Sequence, residues 1–478
     1  MSKQYTIIVG SGLSGLMLAR MIKLYRDPKA EIAIVEKAPV IGGQYGSFNY
    51  HEHGYFDIGM HIYYESCIPE IDKLFTDLLP EEEWNILTDN YKDIAGIYFN
   101  GRLQKDTPYI NLRDISEERW KTYVAEIFNA IRNKDEKLPE DANAYEILVH
   151  HFGKLITDEL FVPVLEKLYL THPDRLAEIA TKFTTINRLA LFDKEAMLDL
   201  MQSQEIRSRI CYPDQMTLPP YRSNTQRGFY PKEYGLFRVM DRFREKLEEE
   251  GVMFFTSHNI CQLNISEKEA TSISLSDNNG AIKTLAIKEL FWTAGLPPLA
   301  KALGIKTDDL VNDKKLTTGV YVNFLLSKMP EMGNLYYFYC FDQPFRSFRI
   351  TNYSAYCPKA SDGRGFPLCA EMWLRNEDSM EESDIINQTI EELKHFGVID
   401  TSFKVIFAKV EKLAGGGFPL PSVKNISNMT EIKNRIKDAG FRNIIPTGVL
   451  AEKNVFFIKD VLIDSYNKVT GKNEKFVY

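Results

Sequence analysis

The sequence predicts an α/β fold: a discontinuous Rossmann-like nucleotide-binding domain interleaved with an α+β domain. Three observations carry the prediction. A glycine-rich turn, Gly10-Ser-Gly12-Leu-Ser-Gly15, stands between a strand-like run and a helix-like run. An acid, Glu36, ends the next strand-like run, at the spacing of about 20 residues that a dinucleotide-binding βαβ unit uses. Strand-rich and helix-rich stretches then alternate along the chain with no long linker between them, and the C-terminus returns to strand, loop and helix.

Each element has a local reason. Tyr5-Thr-Ile-Ile-Val9 is a short β-branched run, the signature of a buried parallel strand. Leu13, Leu16, Met17, Met21 and Leu24 recur at helical spacing, and Asp27-Pro28 ends that helix near Tyr25. Glu31-Ile-Ala-Ile-Val-Glu36 is the second strand. Residues 94–104 read as a hairpin, because Asn100-Gly101 supplies the positive φ angles of a type I′ turn. From Ile115 to Met201 the pattern is mainly helical, with breaks expected at Pro139, Pro163 and Pro173. Charged residues of mixed sign between Lys232 and Glu250 predict a helix with a solvated face. Beyond Gly251, Val252-Met-Phe-Phe reads as a strand, and Thr271 to Trp292 as strands around an Asn279-Gly280 turn. Further strands are expected near 318–327, 335–350, 367–375 and 403–411. Asn443-Ile-Ile is the last strand, and Val455 to Asn467 the last helix.

Composition limits the function. The chain has 478 residues, 44% of them hydrophobic and 12% aromatic, enough for a large core. Its 58 basic and 66 acidic residues leave a net charge of −8, which argues against nucleic acid or an anionic membrane as the main partner. The six cysteines, at 67, 211, 261, 340, 357 and 369, form neither a CxxC pair nor a zinc spacing. Reduced thiols are expected, and no metal. The N-terminus lacks a secretory pattern, and no apolar run reaches the roughly 18 residues of a membrane span. A cytoplasmic protein with no integral membrane segment is the expectation. The oligomeric state is left open.

The glycine turn has a mechanism. Gly10 permits the tight turn, Gly12 lets backbone approach a pyrophosphate, and Gly15 lets helix and strand pack closely. The helix start at Leu13 and Ser14 offers unpaired N–H groups to phosphate. Glu36 is placed for ribose hydroxyls, with Lys37 beside it. Ile41-Gly42-Gly43-Gln44-Tyr45-Gly46 follows at once, where a nicotinamide dehydrogenase would continue into another βαβ unit. After it comes Phe56-Asp57-Ile58-Gly59-Met60-His61-Ile62-Tyr63-Tyr64.

These segments resemble the FAD superfamily of protoporphyrinogen oxidases, flavin amine oxidases, carotenoid desaturases and UDP-galactopyranose mutases. The resemblance implies a glutathione-reductase-type FAD-binding domain from residues 1–90, 225–310 and 411–478. It implies a substrate domain from 91–224 and 311–410. Gly42 and Gly43 would run along the diphosphate toward the flavin. Gly59-Met60-His61 is similar to the mutases' Gly-Pro-His, which puts His61 beside the flavin. Ile260 would touch the adenine through its backbone. Thr293-Ala294-Gly295 matches a strand returning to the cofactor, and Gly416-Gly417-Phe418-Pro419 and Thr447-Gly448 stand where the family closes over the flavin. The family often has Gly-Arg at that last position, where this chain has Gly448-Val449. Arg346-Ser-Phe-Arg349-Ile-Thr351 resembles a mutase strand near the substrate.

His61 and Arg349 are the candidate catalytic residues. Histidine titrates near neutral pH, so His61 could move a proton or position substrate. Arginine and tyrosine recur at Tyr221, Arg222, Arg227, Tyr230 and at Tyr336, Tyr337, Tyr339, Arg346, Arg349, Tyr353. A guanidinium fork and flat phenols suit a small anionic or nucleotide-linked substrate. His51 and His53 are expected to be loop histidines. The reading is an FAD-dependent oxidoreductase taking hydride from a small anionic substrate. The alternative is a non-redox, mutase-like flavoenzyme acting on a nucleotide sugar.

Overall fold

A computed structural model describes residues 3–182, 185–219, 226–313, 317–375, 379–413, 420–452, 455 and 457–475. The chain divides into two compact units. The first comprises 1–86, 226–311 and 427–478, and the second 87–225 and 312–426. Residues 411–426, expected with the nucleotide-binding part, thus belong to the second unit. The reason is local. The strand Val405–Leu413 pairs with Thr317–Leu326, and Ser422 bridges to Leu176.

In the first unit five parallel strands lie in the order Met253–Phe255, Ile32–Val35, Gln4–Val9, Ile282–Trp292, Ile444–Pro446. Counted along the chain this is order 3-2-1-4-5, the dinucleotide-binding arrangement. The strand Ile282–Trp292 is long enough to serve twice. Its first half pairs antiparallel with Glu269–Ser276, which in turn pairs with Asn259–Ser266. That last strand carries no local sequence signal, because its residues are mostly exposed or half-exposed and show no apolar alternation. Ile7, Val9, Ala33, Val35, Leu290 and Trp292 form one buried face with Ile432 and Ile436 of the Val423–Asp438 helix. The first helix, Leu13–Met21, is buried almost all round. It passes into a π-helical turn, Ile22–Arg26, which rotates Leu24 out to solvent at 50% exposure. Leu24 is therefore not a core residue, as its helical spacing had suggested.

In the second unit seven strands form one sheet. Their order is Val405–Leu413, Thr317–Leu326, Phe366–Arg375, Ser347–Asn352, Tyr337–Cys340, Ala95–Phe99, Arg102–Gln104. The stretch read as one strand over 335–350 is two, turned back on each other. Asn100 and Gly101 have φ of 51° and 71°, the left-handed pair that a tight hairpin requires. Alternation gives the sheet two unlike faces. Val320, Val322, Phe338, Ile350, Ala370 and Met372 make the apolar one, all buried. The other carries Tyr321, Asn323, Tyr337, Tyr339, Arg349, Thr351, Cys369 and Glu371 in two aligned rows. Ile97 and Phe341 at one end of this face join a helical core that includes Ile127, Leu148, Phe152, Phe161 and Leu165. Pro163 does not break the helical run. It falls in the first turn of Val162–Tyr169, where its missing N–H costs nothing, just after a π-helical turn over Thr157–Phe161. All six cysteines are free thiols.

Candidate nucleotide and substrate sites

The three glycines of the N-terminal turn serve different ends. A Cβ on Gly10, at φ +103°, would stand 2.2 Å from Thr293 Oγ1, and one on Gly15 would stand 2.1 Å from the Gly10 carbonyl oxygen. Both positions are closed by the protein itself. Gly12 is different. Its φ of −63° and ψ of 170° suit any residue, and a Cβ there meets nothing within 4 Å. Neither backbone geometry nor packing requires glycine at 12. It is a cradle that a side chain would fill. Gly12 also caps the Leu13–Met21 helix without any side-chain hydrogen bond, so the helix starts with no neutralising acid in its first turn.

Around this cradle the chain brings several expected residues together. Gly42 donates its N–H to the Ser11 carbonyl at 2.9 Å and forms a bridge with Gly12. A Cβ on Gly43, at φ +57°, would lie 3.3 Å from the Gly12 Cα. Glu36 Oε2 accepts from Ser11 N and Ser11 Oγ, each at 2.9 Å, and its Oε1 accepts from Ala38 N at 2.8 Å. Ser257 and His258 donate their N–H groups to the Ala38 and Glu36 carbonyls, which leads the chain past Glu36 into the strand that holds Ile260. Thr293 donates both N–H and Oγ1 to the Val9 carbonyl, at 2.9 and 2.8 Å. A Cβ on Gly448 would come 3.1 Å from the Thr293 carbonyl oxygen, so Thr293-Ala294-Gly295 and Gly448 lie against the same strand ends. The Leu13 side chain is buried in the core and Ser14 is half-buried, while Lys37 and Gln44 are exposed.

His61 sits on the loop after Gly59, which has φ +71°, with Met60 buried beside it. The His61 ring stacks on buried Tyr45, centroids 5.4 Å apart and planes 24° from parallel. Burial holds the Tyr45 phenol well above its ordinary range. A buried acid, Asp57, anchors the start of this loop. Asp57 is 1% exposed and accepts from Ser47 Oγ at 2.5 Å, Tyr230 hydroxyl at 2.6 Å and Leu236 N at 3.1 Å. Burial pushes its carboxyl up to about 6, against the downward pull of those donors. Tyr230 is thus a structural partner of Asp57. Arg227 is likewise a partner of Glu65, at 2.9 and 2.6 Å. An acid between two apolar residues was the available signal for Asp57. His51 and His53 lie in a short exposed turn.

In the second unit Arg349 donates Nε to Glu371 Oε1 at 2.6 Å and Nη2 to Glu371 Oε2 at 2.7 Å. The Arg349 side chain keeps 20% of its surface accessible and that of Glu371 only 4%. The Tyr339 hydroxyl also bonds to Arg349, and Tyr337 donates to Asp93 Oδ2 at 3.4 Å. Burial lifts the Asp93 carboxyl to about 6, which Lys92, Tyr337 and Arg349 oppose. The fork expected to grip an anion is therefore already filled by a carboxylate, which the motif around Arg349 did not foretell. The signal lay in another strand, since Glu371 is the cross-strand neighbour of Arg349. Tyr336 donates to the Tyr91 carbonyl at 2.7 Å, a packing role. Tyr353 is fully buried. Tyr221, Arg222 and the Gly416-Gly417-Phe418-Pro419 segment lie outside the described residues. Among the described residues no cluster of acids, histidines or cysteines could hold a metal, and no helix is long and apolar enough to cross a membrane.

Residues 8–78 match the sequence family of NAD(P)-binding Rossmann-like domains. No curated protein sequence matches the chain. Solved structures match it over nearly its whole length. A reduced UDP-galactopyranose mutase aligns with a TM-score of 0.73 at 16% identity, covering 98% of this chain and 95% of the other. A protein from Exiguobacterium sp. 255-15 assigned as a protoporphyrinogen oxidase gives 0.65 at 14% identity, covering 98% and 99%. A putrescine oxidase variant gives 0.59 at 9% identity, covering 98% of each chain. The shared property is the fold.

Proposed function

We propose that this chain, which has the fold of the FAD-dependent amine-oxidase-like superfamily, binds FAD and is an oxidoreductase that removes hydride from a small molecule. The observation that carries the reading is Gly12, a glycine that the protein's own packing does not need. Space beside a bare helix start is what a diphosphate requires. The N–H groups at Leu13 and Ser14 would face the phosphates, and Gly42 and Gly43 would border them from the opposite side. Glu36 would accept from ribose hydroxyls, exchanging the Ser11 hydroxyl for a ligand hydroxyl on Oε2. FAD, when bound, supplies a hydride acceptor, and the protein supplies binding, orientation and electrostatics.

The remaining roles fall to this chain's own side chains. Tyr45 holds the His61 ring in one plane, so that His61 can orient a substrate or hold a proton at a ring nitrogen. Asp57 keeps that loop in place through Tyr230 and Leu236. The tyrosine-lined face around Arg349 in the second unit is the proposed substrate wall. A mutase acting on a nucleotide sugar would ask Arg349 for an anion contact that Glu371 already makes.

Purified protein should be yellow, and denaturation should release FAD on chromatography. Gly12→Val should fold and be colourless, because the branched side chain fills the cradle. Release of NAD or FMN, or normal flavin in folded Gly12→Val, overturns the assignment.

A further inference from the structure

We infer that the polar face of the second unit's sheet selects against anions, that Glu371 is the residue setting this preference, and that the substrate is uncharged or cationic. The inference rests on the reading above of that face as the substrate wall, and names the class of molecule it admits.

Two rows of side chains define the face. One runs Glu411, Tyr321, Glu371, Arg349, Tyr339, and the next Lys409, Asn323, Cys369, Thr351, Tyr337. Among the described residues of these rows the cations are Arg349 and Lys409. Each is paired: Arg349 bidentately with Glu371, and Lys409 with Glu382 at 3.0 Å. A planar guanidinium offers a carboxylate or phosphate its best geometry when two parallel N–H groups are open. Here Nε and Nη2, one such pair, are spent inside the protein. Glu371 is 3% exposed and, among the described residues, is paired with Arg349, so its charge cancels that of Arg349 locally. Asp93 hydrogen-bonds Tyr337 at 3.4 Å and adds a further carboxyl to the same neighbourhood. An incoming anion would meet a balanced pair and, beside it, an acid that Lys92 offsets in part. Displacing Glu371 to free the fork would strand a buried carboxylate. Tyr321 and Tyr339, both part-exposed residues, offer flat ring contact that suits a neutral or protonated group.

The test is calorimetric titration of the FAD-loaded protein with UDP and with inorganic phosphate, in wild type, Arg349→Ala and Glu371→Gln. Wild type should give no saturable heat that depends on Arg349. Glu371→Gln keeps the shape, removes the negative charge and leaves the guanidinium one acceptor in place of two. It should gain phosphate affinity by about tenfold to a hundredfold, the factor one charged hydrogen bond carries. Adding Arg349→Ala to that variant should abolish the gain. Wild-type binding of UDP that phosphate competes for and Arg349→Ala removes overturns the inference. So does a folded Glu371→Gln with no gain. Should Glu371→Gln not fold, the wild-type and Arg349→Ala titrations decide alone. Flavin absorbance of the same samples keeps the two readings apart: a colourless preparation sinks the FAD assignment, while the Arg349-dependent heats still decide this one.

Discussion

At the scale of single residues, Gly10, Gly12 and Gly15 look alike in sequence and differ in cause. Gly15→Ala would drive a methyl to 2.1 Å from a backbone oxygen, which nothing flexible can relieve. It should cost about 1–3 kcal/mol of stability, the range for overpacking. Gly12→Ala meets open space at an ordinary backbone conformation. It should leave unfolding within about 0.5 kcal/mol of wild type, or slightly stabilise by restricting the unfolded chain. Flavin content should respond in the opposite order of specificity: lost in folded Gly12→Ala, lost in Gly15→Ala only as the fold is lost. Denaturant titration beside flavin absorbance separates the two. If both variants lose stability equally, Gly12 is a packing glycine after all. Glu36→Ala gives up the acceptor of Ser11 N, Ser11 Oγ and Ala38 N. It should weaken flavin binding by about 1–3 kcal/mol without emptying the site, which equilibrium dialysis would measure. The turn itself was legible because its strand–glycine–helix geometry is written in adjacent residues. The Arg349 pairing was not, because it depends on which residue lies across the strand, and register is set by the whole sheet.

At the scale of elements, the loop carrying His61 is anchored at its start by buried Asp57, while buried Asp72 accepts from Tyr63 and Ser66 at its other end. Asp57 joins the Tyr55–Asp57 strand to Tyr230 and to the start of the Phe237–Glu249 helix, whose Met240 packs against Gly42. Its carboxyl rises from an ordinary 3.8 to about 6. The folded state therefore binds more protons than the unfolded state between those values, and stability falls as pH rises through that window. At about 1.4 kcal/mol per unit the loss is about 3 kcal/mol above pH 6 relative to below pH 4. Asp93, raised to about 6 in the second unit, acts in the same direction. Asp57→Asn keeps an acceptor for Leu236 N and a partner for Tyr230, and should reduce the slope of unfolding free energy against pH by about one proton. Asp57→Ala should cost about 1–3 kcal/mol at all pH values by stranding those groups. An unchanged slope in Asp57→Asn would show that the acid is ionised in the fold. Strands and long helices were legible at this scale because apolar periodicity is written locally. The π-helical turns over Ile22–Arg26 and Thr157–Phe161 were not. One extra residue per turn changes no side-chain type, so the periodicity alone put Leu24 in the core and a break at Pro163.

At the scale of the whole molecule, the first unit is assembled from three separated stretches of chain that meet at the glycine turn. Gly10 N–H donates to the Val35 carbonyl within the first stretch, while Thr293 N–H donates to Val9 and Thr447 N–H to Trp292, which ties the second stretch to the first and the third to the second at the same strand ends. The interleaving was legible from the return of strand, loop and helix after residue 440. The placement of 411–426 was not, since it follows from sheet pairing and not from composition. A ligand seated where these stretches meet binds only when all three are in place, so its binding free energy adds to the stability of the folded unit. At a free FAD concentration of about 100 times the dissociation constant that contribution is about 2.7 kcal/mol. Stripping the flavin should therefore lower the unfolding midpoint, and adding FAD back should restore it in proportion to the logarithm of its concentration. Gly12→Val should unfold near the midpoint of the stripped wild type and ignore added FAD, because the variant lacks the cradle and not the fold. Calorimetry on the four samples decides. A wild-type midpoint indifferent to FAD would place the ligand outside the unit these three stretches build, and a Gly12→Val midpoint that rises with FAD would place it away from the turn.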